Sequence, residues 1–391
     1  MKLRRLTTHI CDAFRTNWVF VKIETADGLV GWGEATLEYR EHTVDWALRE
    51  LERGLKERDL ENIEAWWQDA YRDAYWRGGP VLTSALSAVE MALWDIQGKA
   101  LGVPVHRLLG GKVRSEVPCY ANAWFAGARE PAEFAEKARE AVAMGYRALK
   151  WDPFGAAFRT LSAAEMRRAL AVVEAVVNAV GDAARIMIEA HGRFELPCAR
   201  RIARALEDFD VHWLEEPLIP GNLENYARLR RETRTPISLG ERLYTRWDFR
   251  EVFEKGCADF IQPDVSHAGG IWELRKIGAL AELWQIGFCP HNPSGPVANA
   301  ATLQLAACTP NFEFLETMAT DVPWRKDVAR EACQFVDGQM TIPEVPGLGV
   351  EINEEALARF PYQVHDLRHY TGALTQIRPP DATATFTTRK T

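Results

Sequence analysis

Six ionisable residues recur along the chain at near-regular intervals. Glu189, Glu215, Glu241, Asp264, His291 and Glu316 lie 26, 26, 23, 27 and 25 residues apart. Each falls at the end of a short apolar run, such as RIMIEAH at 185–191 or DFIQPDV at 259–265. Groups at the carboxyl ends of parallel barrel strands meet at one mouth, so these six are expected to converge. Three neighbouring carboxylates there would repel one another and be driven towards neutrality. A hard divalent cation removes that cost, and a few carboxylates with positions left for water and substrate suit Mg²⁺. A single strand-end Glu is ordinarily a solvated group or an ion-pair partner. Three at matched positions, Glu189, Glu215 and Glu241, are candidate Mg²⁺ ligands.

The other groups could supply acid–base chemistry. His291 follows Asp264 by one repeat, which puts the two on neighbouring strands. An Asp beside a His orients the imidazole and supports its protonated form, as a general base requires. His191 lies two residues past Glu189 and so points the same way; it is either a further ligand or an acid beside the metal. Lys150 and Asp152 form another i, i+2 pair. A Lys facing an apolar barrel needs a charge nearby, from a substrate carboxylate or from an internal partner, Asp152 or Glu189. Trp151 and Trp124 are candidate pocket walls, and Trp151 and Asp152 are candidate substrate-binding residues. Arg40 and Trp76, the latter in the tract WRGGP, are placed on loops that would cover the mouth from the first domain. Gly269-Gly270 opens a helix and reads as tight packing rather than as a phosphate cradle.

The elements that must position these residues follow from pattern. Val19–Glu24 is rich in β-formers, and Asp27-Gly28 is the turn of a hairpin that returns through LVGWGE. Leu82, Leu86, Val89, Leu93, Ile96 and Ala100 keep helical spacing up to a stop at Gly102. Residues 1–112 are therefore expected to form a small α+β capping domain. From 113 to 330 short apolar runs alternate with amphipathic stretches. Strands are expected at 117–124, 148–154, 185–191, 211–217, 237–241, 259–265, 287–292 and 312–316, giving a (β/α)8-type barrel with a weakly marked last helix. Residues 331–391 are expected to return to the cap without extending the barrel, with the last dozen loosely ordered. The fold class is thus α/β, a barrel plus an N-terminal cap completed by the C-terminal segment.

The chain has 391 residues, 47% apolar and 26% charged, with net charge −8. That balance fits a globular protein with a sizeable core. No basic stripe is visible, so nucleic acid is not expected as a partner, and no run reaches membrane-spanning length. Seven scattered Cys without a C-x-x-C pair argue against disulfides and structural zinc. With no signal-peptide core at the start, a reducing, cytoplasmic setting is expected.

In this order and context the motifs resemble the enolase superfamily, in its mandelate racemase subgroup. They are most similar to the D-galactonate dehydratase family. The matching blocks are VGWGE (30–34), RGGP (77–80), ALWDIQGK (92–99), EAHGRF (189–194), EEP (215–217), LGERLYTRWDF (239–249), IQPDVSHAGGI (261–271), PHNPSGP (290–296) and PGLGVEI (346–352). The resemblance implies that Glu189, Glu215 and Glu241 bind Mg²⁺, with Glu216 behind them. It makes His291–Asp264 the base, His191 the general acid and Glu316 a hydrogen-bonding partner of the substrate carboxylate. It also implies a homo-oligomer. Two departures stand out. The first ligand is Glu189 where the family usually has Asp, and the racemase K-x-K pair is here Lys150-Trp151-Asp152, so the second lysine base is missing.

The activity implied is dehydration of an acid sugar. His291 removes the α-proton, the β-hydroxyl leaves with a proton from His191, and a 2-keto-3-deoxy acid results. The alternatives are an acid-sugar epimerase or lactone cycloisomerase, a barrel glycosidase using two carboxylates, and a non-catalytic metal-binding scaffold. The glycosidase would need neither a third strand-end Glu nor the His–Asp pair.

Overall fold

The computed structural model describes residues 1–56, 58–72, 75–365 and 381–386. The cap sheet is antiparallel, with β1 (Leu3–Asp12), β2 (Asn17–Thr25) and β3 (Val30–Glu34) in that order. The sequence pattern does not announce β1, because Arg4, Arg5, Thr7 and Thr8 interrupt its apolar alternation. On β2 the alternation is apolar on both faces. Val19, Val21 and Ile23 pack under three helices, while Trp18 and Phe20 join the core on the barrel side. The helices are α1 (Glu41–Leu55), α2 (Ile63–Arg72) and α3 (Pro80–Leu101). As expected, α3 stops at Gly102, whose φ of 68° suits a residue without a Cβ. A short α4 (Val105–Leu108) leads out of the cap.

Eight parallel strands then alternate with helices: β4 (Glu116–Asn122), α5 (Pro131–Ala143), β5 (Ala148–Trp151), α6 (Ala163–Val180), β6 (Arg185–Glu189), α7 (Leu196–Leu206), β7 (Trp213–Glu215), α8 (Leu223–Glu232), β8 (Ile237–Leu239), α9 (Thr245–Lys255), β9 (Phe260–Ile261), α10 (Ile271–Leu283), β10 (Gly287–Phe288), α11 (Pro296–Cys308) and β11 (Leu315–Met318). Neighbours pair in sequence from β4 to β10, and β11 pairs β4. The parallel bridge Phe288–Phe312 closes the ring. The strands are shorter than the apolar runs, so Glu241, Asp264 and His291 lie just beyond strand ends rather than in them. Among the described residues no barrel-length helix follows β11.

Alternation sorts the inward side chains into layers. Tyr120, Ala148, Met187, Trp213 and Cys289, with Phe260 and Phe314, form an apolar floor. Two residues further along each strand come Asn122, Lys150, Glu189, Glu215, His291 and Glu316, a polar layer resting on that floor.

Three cap carboxylates dock the cap. Glu34 accepts from the amides of Gly295, Val297 and Ala298 at the start of α11. Glu90 accepts from Ile271 and Trp272 at the start of α10. Asp95 accepts from Trp32, Lys99 and, in the C-terminal segment, Leu348. Helix N-termini present unpaired N–H groups and positive potential, so carboxylates are natural partners there. A Cβ at Gly270 would lie 2.2 Å from the Glu90 carboxylate, so the expected role of this glycine, tight packing, is its role here.

The C-terminal segment does return to the cap: Pro361 bridges Cys11, and Asn17 donates to the Gln363 carbonyl. Two expectations need correction. The segment also extends the barrel sheet, because β15 (Gln339–Thr341) pairs antiparallel with Glu116–Pro118 of β4. Between β11 and β15 lie β12 (Thr320–Asp321), α12 (Arg325–Val328), β13 (Ala329–Glu331) and β14 (Phe335–Val336). Nor is all of the last dozen residues loose. Thr383–Ala384 pairs with β12 and Thr385 is buried, while 387–391 lie outside the described residues.

Replacing Glu34 by Ala leaves three helix-end amides unpaired. It is expected to cost about 3 kcal/mol, seen as a lower urea midpoint, with Glu34→Gln losing less. His212 gives a pH-dependent counterpart. Its ring packs against Trp213, Phe260 and Phe314 on the barrel floor. Burial, with Arg185 beside it, lowers its pKa from 6.5 to about 4. The folded state therefore resists a proton that the unfolded chain accepts. This contribution is complete above pH 6.5 and is lost as pH falls towards 4. Thermal unfolding of His212→Phe should depend less on pH across that window than wild type.

Candidate active site

Glu189 and Glu215 stand side by side as a register pair of β6 and β7. Glu241 joins them from just past β8, and ligand oxygens of all three lie within 4.8 Å of one another. The chain reaches Glu241 through Gly240, where a Cβ would lie 2.9 Å from the Gln262 amide nitrogen. Glu216, which faces away from the cluster, accepts from the Gly240 amide at 2.9 Å and from Arg242 at 3.0 Å. Arg242 also pairs with Glu241 at 2.7 Å, so one cation ties the third carboxylate to the strand before it.

Lys150 sits among the acids. Its Nζ lies 2.6 Å from Glu215, 3.1 Å from Glu316 and 3.4 Å from Glu189. The expected internal partner is therefore Glu189 with two further glutamates; Asp152 is engaged elsewhere. Glu316 also accepts from Asn122 and from the Asn292 amide, each at 2.9 Å. His291 Nδ1 is 2.7 Å from Asp264, and its Nε2 is 3.4 Å from Glu241. Across the cluster, His191 Nδ1 is 2.7 Å from Asp152, which also pairs with Arg193 at 2.5 Å.

Burial pushes Glu189 and Glu215 upward, and Glu189 pushes Glu215 further. Burial also works to raise Glu241, but Arg242 and then His291 outweigh it and hold that carboxyl below the ordinary range. Lys150 is driven up despite burial by Glu215 and Glu316. The latter is lowered to about 2 against its own burial, by Lys150 and His291. His291 rises to about 10, because Glu241 and the Asp264 hydrogen bond outweigh the burial that disfavours its charge. Lys150, Arg242 and His291 still leave Glu189 and Glu215 raised, so the cluster is short of positive charge. Three converging hard oxygen donors fit a divalent cation, which would also take up the Glu241 charge now acting on His291.

A cavity of about 260 Å³ opens above these groups. Trp151 and Asp152 border it, as do Arg15, Leu37, Glu38 and Tyr39 from the cap and Arg242, Tyr244 and His267 from the barrel. The expectation for Arg40 and Trp76 is corrected. Arg40 is exposed and donates to the carbonyl of Tyr39, so the three residues before it cover the mouth. Trp76 is 79% exposed and borders a separate groove between cap helices. Trp124 packs edge-on against Trp151 at 5.4 Å and donates to the Lys150 carbonyl, behind the wall rather than in it. Sequence reasoning missed Asn122, Arg193, Arg242 and His267. Asn122 ends the first barrel strand and was findable by the rule that found the glutamates. His267 follows Asp264 by three residues and meets Ser84 of the cap at 2.8 Å, a contact with no local signal.

Fold and site together define a capped barrel enzyme with an acidic cluster at its strand ends. The family model for the mandelate racemase / muconate lactonizing enzyme N-terminal domain matches residues 5–110, and that for the enolase C-terminal domain-like fold matches 133–356. The chain belongs to the enolase superfamily, in its mandelate racemase subgroup. It is 38% identical over 362 residues to the D-galactonate dehydratase of Pectobacterium atrosepticum, covering 91% of this chain and 93% of that enzyme. It is 39% identical over 344 residues to the D-gluconate dehydratase of Thermoproteus tenax, covering 88% and 69%. A mandelate racemase/muconate lactonizing enzyme from Sulfitobacter superposes with a TM-score of 0.89 at 31% identity, over 94% and 97% of the two chains. No helix of the described residues is long and apolar enough to cross a membrane.

A cation held only by the folded state stabilises it by mass action. Millimolar Mg²⁺ or Mn²⁺ should raise the thermal midpoint by about 2–5 °C, and Glu215→Gln should abolish the rise. An equal rise in that variant would place the binding elsewhere.

Proposed function

We propose that the protein is a Mg²⁺-dependent acid-sugar dehydratase acting on an aldonate of the galactonate or gluconate kind. The observation that carries this reading is the pair of histidines, each anchored through Nδ1 to an Asp, on opposite sides of three carboxylates. The relatives named D-galactonate and D-gluconate dehydratase support the substrate class. Glu189, Glu215 and Glu241 would hold Mg²⁺, which supplies positive charge to the substrate carboxylate and eases the build-up of negative charge there.

An ionised Asp only accepts, so His291 keeps its hydrogen on Nδ1; with a cation drawing off the Glu241 charge that favours a second proton, Nε2 would serve as the base for the α-proton. Lys150 donates to the substrate carboxylate, and Glu316 and Glu215 keep its ammonium aimed. The resemblance gave Glu316 a hydrogen bond to that carboxylate. That bond needs a proton on Glu316, which a substrate carboxylate brought alongside it would favour. His191 stands on the other side as the donor to the leaving hydroxyl. Arg15, Leu37, Glu38 and Tyr39 would close over the sugar chain and exclude water. A homo-oligomer would use the cap, where Trp46 and Trp76 are exposed.

The same pair of histidines favours one second reading, an epimerase or cycloisomerase, in which His191 returns a proton to the opposite face of the α-carbon. A panel of aldonates and aldarates with Mg²⁺ separates the two. Dehydration gives a 2-keto-3-deoxy acid, detected as its semicarbazone and lost with EDTA. Epimerisation gives α-deuteration in D₂O without that product. His291→Asn should lower both elimination and α-proton exchange about 100-fold or more. Exchange that survives in this variant would move the base elsewhere.

A further inference from the structure

Asp152 sits where a second lysine base would stand in the racemases, and its contacts point to a specific task. The register pairs Trp151 with Ile188, which puts Asp152 beside Glu189 and the loop that follows it. Its side chain is 3% exposed. Oδ1 accepts from the amide of Phe154, two residues on, at 2.8 Å, while Oδ2 meets His191 Nδ1 at 2.7 Å. Asp264 is built the same way. Its Oδ1 accepts from the amide of Ser266, two residues on, at 2.6 Å, and its Oδ2 meets His291 Nδ1 at 2.7 Å. The site therefore holds two His–Asp units of like construction, one on β5–β6 and one on β9–β10.

The second unit is held firmly. Arg193 pairs with Asp152 Oδ2 and also donates to the carbonyls of Ala190 and Gly155 at 3.0 and 2.7 Å. This cation favours the charged form of Asp152 and shares its Oδ2 with His191. The His191 amide donates to Glu189 at 2.6 Å, and its carbonyl accepts from Arg242 at 3.3 Å. Its backbone is left-handed, with φ of 51°, an uncommon conformation outside glycine that fixes where the side chain starts. Nδ1 is the ring nitrogen tied to the carboxylate, and His191 borders the cavity.

Resting on the dehydratase reading, we propose that Asp152 is a positioning residue that fixes the His191 ring as proton donor to the leaving hydroxyl. In the step it serves, His291 Nε2 takes the proton from C2. The electrons of that C–H bond pass into the C1 carboxylate as an enediolate, which can regain a proton at C2; as it collapses they become the second bond between C2 and C3 and the C3–O bond breaks. The oxygen leaves with its bonding pair, takes a proton from His191 Nε2 and departs as water. Asp152 acts through His191 and takes no part in the bond changes.

The test changes the leaving group. Wild type, Asp152→Asn, Asp152→Glu and His191→Asn are assayed with Mg²⁺ on D-galactonate, D-gluconate and their 3-deoxy-3-fluoro analogues, with α-deuteration followed in D₂O. Fluoride leaves without needing a proton. Both Asp152 variants should lose water elimination about 100-fold in kcat, with KM little changed, as His191→Asn does. All three should keep α-exchange within a few fold and should eliminate fluoride at near wild-type rate. Asp152→Glu retains the charge for Arg193, so it guards against a variant that merely unfolds. The proposal is overturned if the Asp152 variants keep water elimination within a few fold. Equal loss of fluoride elimination and exchange, marking a purely structural residue, overturns it as well. Wild type that eliminates neither water nor fluoride overturns the dehydratase reading itself, and this inference with it.

Discussion

The upper layer of the barrel is organised around the mutual repulsion of buried carboxylates. Glu189, Glu215 and Glu241 bring oxygens within 4.8 Å of one another, and Glu316 stands close by across Lys150. Buried like charges are tolerated only beside opposite charge or with protons bound. Each neighbour answers to that need. Lys150 is held by three glutamates at once, and Arg242 ties Glu241 to Glu216. The Trp213 indole donates to Glu215 from the floor below, at 2.9 Å. A divalent cation would complete the balance and turn a costly cluster into a site able to draw in a substrate carboxylate.

The cap is attached by related physics. Glu34 and Glu90 reach across the interface to helix N-termini that open immediately after the catalytic strand ends, and His267 meets Ser84 behind Asp264. The cap is thereby registered against the loops that carry His291 and Asp264. Leu37, Glu38 and Tyr39 follow Glu34 directly, so the residue that docks the cap also sets where the mouth is covered. Specificity for the sugar chain can then vary in the cap while the acid–base layer stays fixed by strand register.

Much of the site was legible in the sequence because barrel geometry makes local position global. One ionisable group at each strand end, six repeats running, has to converge, and alternation puts Lys150 and Asp152 on the inner face. The family resemblance then assigned roles to those positions. What was not legible depends on tertiary reach. That Asp152 faces His191 and Arg193 rather than Lys150 is decided by how two loops cross, 39 and 41 residues apart. Arg40 and Trp76 looked like mouth residues from loop position alone, but a turn at Tyr39 directs Arg40 outward. β1 escaped notice because its pairing partner, rather than its own pattern, makes it a strand; the 340–352 stretch reads as strand-like, but its pairing with β4 depends on the same tertiary reach.

The central claim is that the three glutamates form one cation site beside Lys150. Crystals soaked in Mn²⁺ and measured at the manganese absorption edge test it most directly. The account predicts a single anomalous peak among Glu189, Glu215 and Glu241, with an oxygen of each at about 2.0–2.2 Å. It also predicts that Lys150 will turn from Glu215 towards Glu316 to make room. Absence of that peak at saturating Mn²⁺, with Lys150 still seated on Glu215, would contradict it.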